Sequence, residues 1–484
     1  MTLARLVLPA LRWRRETGFH HEHEAIDAAL ALGVGGFILF GVPGARADEV
    51  AALTTRIRER AGRPLLLGAD LERGAGQQAR GLTPVPPPAA LASLEDEAAI
   101  AWAGRVTARD ARAVGLNWIF APVADLDLEP ENPIVQTRAF GADPARVARQ
   151  VATWISACQA EGVLASAKHY PGHGRTRHDS HDRLPTVDLP LAELARTDLV
   201  PFAAAVGAGV GSVMTCHVAF PRWDPAGVPA TRSPVILGHL RSALGFDGLV
   251  VTDAFIMGGA QAGIGEAEAA VASLAAGCDI LLYPGDLAGT IAALDRAAAD
   301  GTLPADRVAG AMRRYGEALA RVAHAPGTAG PDHAGAAAVA ARLLEGGMRR
   351  GAPPPRLAGV ELAVVDDDEG GWYAPGPSDI VRRTLAARGI VETHGGARVV
   401  LAFAEPRAAK GRAGFGPEAR ARLSELVPGA ALVVLFAHPR LLEQVPEGSP
   451  VLVAWHRQPL MQQAVAAWIA GRVEAAGPAV RPTG

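Results

Sequence analysis

From its first residues the chain alternates short, wholly apolar runs with longer Ala-rich stretches in which apolar residues recur every three or four positions. Runs of the first kind read as strands buried on both faces, and the second as helices that cover them. Eight strand candidates follow one another: 5–11 (RLVLPAL), 36–41, 64–70 (PLLLGAD), 117–125 (NWIFAPVAD), 163–169 (VLASAKH), 212–218, 248–254 (GLVVTDA) and 279–285. Between them, Ser93 with Asp96 predicts a capping box ahead of a helix running to Gly115, and Asp143-Pro144 opens a helix that ends at Gly162. This α/β alternation suits a (β/α)8 barrel of the TIM type and a doubly wound open sheet equally. The polar residues favour the barrel, because Asp70, Asp125, Lys168 with His169, His217 and Asp253 all fall at the carboxyl ends of predicted strands. In a barrel those ends converge on one mouth, whereas an open sheet spreads them along a line.

Beyond Tyr315 the pattern breaks at APGTAGPDHAG and again at the Pro-rich GAPPPRLAG. Four further apolar runs, ELAVVDDD, ARVVLAFAE, ALVVLFAH and VLVAWH, then alternate with helical segments, which predicts a smaller α/β domain. The expected organisation is a catalytic barrel over 1–330, a helix and Pro-rich linker over 331–357, and a small α/β domain over 358–484. A length of 484 residues agrees, since it exceeds what a single core usually supports.

Composition narrows the partners. The formal net charge is -3 with both signs interspersed, so no basic stripe points to nucleic acid. Cys158, Cys216 and Cys278 are odd in number, far apart and set in apolar runs, which predicts buried thiols in a reducing compartment. The N-terminal apolar stretch is too short for a signal-peptide core, and the uncharged run 28–45 is broken by glycines and Pro43, so a cytoplasmic protein without a membrane segment is expected.

Only two of the 47 basic residues are lysines, and Lys168 opens the densest polar stretch, KHYPGHGRTRHDSHDRLP. A lysine retained against such an Arg bias suggests a place where a compact ammonium is needed instead of a planar fork. The stretch has four histidines and two glycines between Lys168 and Asp182 and no apolar period, so it reads as a loop that folds back over the mouth. Within it Asp179 and His181 stand two apart, a spacing at which a carboxylate can orient an imidazole for general acid/base work. Asp253 directly follows a buried run, so it either faces the mouth or caps a helix. A carboxylate and a separate proton donor across a mouth are the minimal equipment of a retaining glycosidase, and Asp70, Arg138, Lys168 and His169 would then hold sugar hydroxyls. His217 and Met257 complete the candidate substrate contacts.

These segments, with GADLERGAGQ, NPIVQTRAFGADP and GCDILLYPGD, resemble glycoside hydrolase family 3, specifically its β-N-acetylglucosaminidase branch, over nearly the whole chain. The resemblance implies Asp253 as nucleophile on strand seven, His181 paired with Asp179 as acid/base on the strand-five loop, and Asp70, Arg138, Lys168 and His169 as sugar ligands. It implies no cofactor and no metal, a small carbohydrate as partner, and exo-acting release of terminal β-linked N-acetylglucosamine. The chain departs from the branch at Gln78, where cytoplasmic recycling enzymes carry an Arg, at Arg175 and His178, and at Tyr170 in place of Phe. A histidine acid also resembles family members that use phosphate as acceptor, because it repels an anion less than a carboxylate does, and this leaves phosphorolysis open. Nothing here matches the second-domain insertion from which the β-glucosidase branch takes its acid.

Two rival classes remain. His21-Glu22-His23 offers an H-x-H for a metal-dependent hydrolase with Lys168 as bridging base, although it lies well past the first strand, where ligands are poorly fixed. A sugar-binding protein without turnover is the other, and it has no use for both Asp253 and the Asp179/His181 pair. The Gly-rich setting of that pair predicts a loop that moves without ligand and leaves His181 distant from Asp253.

Overall fold

The computed structural model describes residues 2–41, 44–180, 183–322, 326–354, 356–368, 375–407 and 410–473. The chain divides into two compact units, Met1–His333 and Ala334–Gly484. In the first, the apolar runs form short parallel strands: β1 (Val7–Leu8), β2 (Ala10–Arg12), β3 (Gly36–Phe40), β4 (Leu66–Ala69), β5 (Trp118–Ile119), β6 (Leu164–Tyr170), β7 (Ser212–Thr215), β8 (Leu249–Val251) and β9 (Leu281–Leu282). Seven of them make one parallel sheet in the order β2-β3-β4-β5-β6-β7-β8. β9 pairs with β1 on one side, and Ile280 bridges Val251 of β8 on the other. Because β1 leads into β2 across Pro9, the edges of this curled sheet meet through β9.

Apart from β6, the strands are shorter than the apolar runs that predict them. Within 117–125 only Trp118 and Ile119 are strand, since Pro122 has no N–H to give a ladder and the chain leaves the sheet before Asp125. Val7, Phe37, Leu66, Trp118, Val213 and Val250 are fully buried, as expected of parallel strands covered on both faces. The Trp118 indole N–H donates to Ser212 Oγ at 2.7 Å, which satisfies the one polar atom that ring brings into the core.

Helix ends follow local chemistry, with one correction. Asp143 caps the helix Pro144–Gln159 by accepting from Arg146 N. The predicted Ser93–Asp96 box is instead two separate ends. Ser93 closes the helix Pro88–Ser93, and Asp96 alone caps Glu97–Ala113, accepting from Ala98 N and Ala99 N. At the amino end of β9 the buried Asp279 binds Arg241, Arg307 and Arg314 at 2.5, 2.8 and 3.3 Å, an ion cluster at the sheet end opposite the candidate site.

The second unit has β10 (Met348–Arg350), β11 (Val360–Asp366), β12 (Ala397–Ala404), β13 (Leu432–Ala437) and β14 (Val451–Val453) in the order β10-β14-β13-β12-β11. β11 to β14 run parallel and β10 is antiparallel to β14. No apolar run announces β10, because Met348 and Arg350 are only half-buried and Arg349 is exposed. All three cysteines are buried and free. Among the described residues no helix is long and apolar enough to cross a membrane.

Candidate active site

The extended chain beyond β4 carries Asp70 and Glu72, whose two-residue spacing puts both carboxylates on one side. Facing them, Lys168 projects from β6 with its side chain only 2% exposed. Its Nζ donates to Asp70 Oδ1 and Glu72 Oε1, each at 2.7 Å. Arg138, closing the 3-10 turn Gln136–Arg138, grips the same Glu72 with two parallel bonds, Nε to Oε2 at 2.8 Å and Nη2 to Oε1 at 2.7 Å. Burial alone raises a carboxyl pKa, but Arg138 and Lys168 outweigh it and hold Glu72 well below its usual range. Burial likewise opposes the lysine charge, and Asp70 with Glu72 overcomes it, so Lys168 is held above its ordinary value. The result is a fixed cation, with Asp70 more open to solvent than Glu72.

Gln78 occupies the position at which the resemblance calls for a cation. Its Nε2 donates to the Asp70 carbonyl at 3.1 Å and its Oε1 accepts from Gly41 N at 2.8 Å, so the side chain braces the backbone of the strand ends.

His169, next to Lys168, is set by a different acid. Its Nδ1 donates to Asp125 Oδ2 at 2.6 Å, and its backbone N–H and that of His173 both donate to Asp125 Oδ1, at 3.1 and 2.7 Å. Asp125 is fully buried. Burial works against its charge, yet attraction from His169 keeps its carboxyl below the ordinary range. Lys168 and His169 thus link an Asp70/Glu72/Arg138 group to an Asp125/His173 group. The peptide bond between these two neighbours is cis.

After Tyr170 the chain leaves the sheet, one residue beyond the predicted strand end, so Lys168, His169 and Tyr170 of the polar stretch are strand. Gly174 packs so closely against the Leu126 carbonyl that an added Cβ would lie 1.6 Å from that oxygen. His173 is buried, with Nδ1 2.8 Å from Thr176 Oγ1 and Nε2 2.9 Å from Ser180 Oγ. Asp179 and Ser180 are buried too, and the Ser180 carbonyl accepts from Gly259 N at 3.0 Å. His181 lies outside the described residues, so its predicted distance from Asp253 is not defined.

Asp253 follows β8 and is half-buried, its Oδ1 accepting from Ala254 N at 2.7 Å. The helix-cap alternative fails, because the next helix, Gly258–Gln261, has Met257 at its cap position. Met257 itself is buried. His217, beyond β7, donates from Nε2 to the Ala254 carbonyl at 3.3 Å and meets Thr231 Oγ1 through Nδ1 at 3.0 Å.

The structure therefore adds Glu72, His173 and Ser180 to the residues predicted from sequence, and gives Asp125, already expected at a strand end, the part of orienting His169. Glu72 was accessible as the second acid of an alternating Asp-x-Glu at a strand end. The histidine cluster near the N-terminus forms the 3-10 turn His20–Glu22 and the start of the helix His23–Leu32. His21 is engaged with Thr17 and Glu22 there. Among the described residues no group of three or more His, Cys, Asp or Glu is placed to hold a metal ion.

A curled parallel sheet with acids and cations gathered beyond the carboxyl ends of its strands defines a barrel-type enzyme. The chain belongs to glycosyl hydrolase family 3, whose N terminal domain is matched over residues 5–317. It is 36% identical over 293 residues to a β-N-acetylglucosaminidase/β-glucosidase of Cellulomonas fimi, covering 58% of this chain and 51% of that one. The match thus spans about half the length of that relative. A β-hexosaminidase of Tolumonas auensis is 36% identical over 267 residues, covering 54% of this chain and 79% of its own. Among solved structures, a family 3 β-N-acetylglucosaminidase from Paenibacillus sp. str. FPU-7 superposes with a TM-score of 0.84 at 25% identity, covering 98% of this chain and 96% of that one.

Proposed function

We propose that the protein is a retaining, exo-acting β-N-acetylglucosaminidase, acting on terminal β-linked N-acetylglucosamine of cell-wall fragments or chitooligosaccharides, on a (β/α)8 barrel. The Asp253 carboxylate attacks the anomeric carbon while His181, oriented by Asp179, gives its proton to the departing oxygen as the glycosidic bond breaks. In the second half His181 takes a proton from water, the water oxygen bonds the anomeric carbon, and the ester to Asp253 breaks. Asp70, Lys168, Arg138 and His169 hold the sugar hydroxyls, with His217 and Met257 beside Asp253. Free, buried thiols support a reducing, cytoplasmic setting.

One observation carries this reading: the Ser180 carbonyl binds Gly259 N at 3.0 Å, tying the stretch that holds Asp179 to the segment that follows Asp253. That contact joins the backbone beside Asp179 to the segment after Asp253, two stretches distant in sequence, and so supports the reading. The test is Asp253→Ala assayed by release of chromophore from an aryl β-N-acetylglucosaminide. Loss of release with a retained fold is expected, and full activity removes the nucleophile. A panel of N-acetylglucosaminides, glucosides and muropeptide fragments, run with and without phosphate, fixes substrate and acceptor. Formation of sugar 1-phosphate faster than hydrolysis turns the assignment to a phosphorylase.

A further inference from the structure

His173 is a buried histidine that the proposed mechanism does not use, and its two ring nitrogens join Thr176 and Ser180 within the loop that follows β6. The Thr176 hydroxyl donates to the His173 carbonyl at 3.1 Å, so Nδ1 acts as donor to Thr176 Oγ1 at 2.8 Å. Nε2 is then left as acceptor for the Ser180 hydroxyl at 2.9 Å. Asn132 adds a brace, donating from Nδ2 to the His173 carbonyl at 3.0 Å and to Thr176 Oγ1 at 3.3 Å. At its root the same histidine is fastened to Asp125, which also orients His169. At its tip Ser180 is fastened to Gly259 through its carbonyl. An unbroken chain of bonds therefore runs from the sugar-ligand strand through His173 and Ser180 to the segment after Asp253.

We infer that His173 and Ser180 are positioning residues for the acid/base pair: the Ser180 hydroxyl, held by the His173 ring, fixes the backbone at the one residue lying between Asp179 and His181. This rests on the acid/base reading of that pair. The two atoms of Ser180 divide the task. Its side chain ties it to His173 just beyond β6 and its carbonyl to the nucleophile's segment, so the backbone next to Asp179 is held from both sides. The network is wholly buried, where an unmade hydrogen bond costs most.

A misplaced acid leaves a distinct kinetic mark. Protonation matters for a poor leaving group and little for one that departs as a stable anion, and kcat/KM reports the bond-breaking half. With Ser180→Ala, kcat/KM on a disaccharide or alkyl N-acetylglucosaminide should fall about tenfold to a hundredfold, a part of the 10²–10⁴ that general acid catalysis supplies. On 2,4-dinitrophenyl N-acetylglucosaminide it should stay within about threefold, since that step needs no acid. Ser180→Thr, which keeps the hydroxyl, should restore most of the loss. His173→Gln should reproduce the Ser180→Ala pattern, and if it does not fold, Ser180→Ala carries the test alone. Equal losses on both substrates, or no loss on either, overturn the inference. Asp179→Asn run alongside separates the two levels: if it too shows no leaving-group dependence, the acid/base reading itself has failed.

Discussion

Lys168 Nζ lies 2.7 Å from Glu72 Oε1, with both side chains buried and Arg138 gripping the same carboxylate from the other side. Two cations on one buried acid leave Glu72 no role as a proton donor and make it the anchor that aims them both. Glu72→Gln removes the charge but keeps the shape, stranding Lys168 and Arg138 with Asp70 alone. Breaking a buried pair on one side typically costs about 3–5 kcal/mol. The variant should unfold at clearly lower urea, and its KM for an aryl N-acetylglucosaminide should rise more than its kcat falls. A variant with wild-type stability and KM would show that Glu72 anchors nothing.

Asp125 plays the matching part for His169. As Asp125→Asn, the side chain keeps one oxygen for three donors and turns an amide toward one of them. Hydrogen bonds to a charged group contribute about 1.5–3 kcal/mol each, so losing one should lower kcat/KM about tenfold to a hundredfold if His169 holds the sugar. The same substitution should disturb the His169 ring in a nitrogen-detected NMR spectrum. An unchanged imidazole signal, with kcat/KM also unchanged, removes Asp125 from the site.

Acid should loosen the first unit through His173. Burial, and after it the neighbouring His169, pushes His173 down to about 4 from an ordinary 6.5. The folded state therefore refuses a proton that the unfolded chain accepts. Its contribution is fully present above about 6.5, is lost as pH falls toward about 4, and is constant below that, a change on the order of 3 kcal/mol. Urea midpoints of wild type and His173→Gln, measured from pH 7 to pH 4.5, should converge as pH falls. Parallel curves would mean that His173 does not carry this dependence.

Gly259 tests the join between the segments holding Asp179 and Asp253 from its other side. A Cβ there would come within 2.9 Å of the Ser180 carbonyl oxygen and 3.1 Å of His217. Overpacking of a rigid site costs about 1–3 kcal/mol, so Gly259→Ala should reduce activity with a smaller effect on melting. Full activity at unchanged stability would show that the Ser180 contact has room to move.

How much of this was legible in sequence depended on what kind of signal each residue gives. Strand ends were readable because an acid or base after an apolar run is costly to bury, and Asp70, Lys168, His169, His217 and Asp253 all stand in that position. Glu72 was missed because it lies past the strand, behind Leu71, and its meaning depends on Lys168 and Arg138, which are remote in the chain. His173 and Ser180 were hidden among residues that look like a solvated loop, since composition does not say which polar side chains the fold buries. Local rules failed where two neighbouring signals competed, as at Ser93 and Asp96, each of which belongs to a different helix. Strand lengths were overread for a similar reason: a buried apolar run stays apolar after it leaves the ladder.

The second lysine turns the scarcity of this residue into a sharper statement. Lys410 is buried, with Nζ 3.0 Å from Asp368 Oδ1 and 3.2 Å from the Glu405 carbonyl, in a cluster where Arg457 also binds Asp368 at 2.7 Å. Burial and then Glu405 push the Asp368 carboxyl above its ordinary range, against the pull of Lys410 and Arg457. Lys168 and Lys410 thus share a setting, a compact ammonium against buried carboxylate, and the Arg bias marks that setting instead of marking catalysis. Lys410→Met should leave Asp368 with less compensation and cost about 3–5 kcal/mol of stability, as removal of one partner from a buried pair does. Lys410→Arg should recover only part of it, because a planar fork does not fit where a compact ammonium reaches Asp368 and the Glu405 carbonyl at once. Differential scanning calorimetry of the three proteins decides the matter: a Met variant melting with wild type would show that the pair contributes nothing, and a fully restored Arg variant that the shape of the cation is irrelevant.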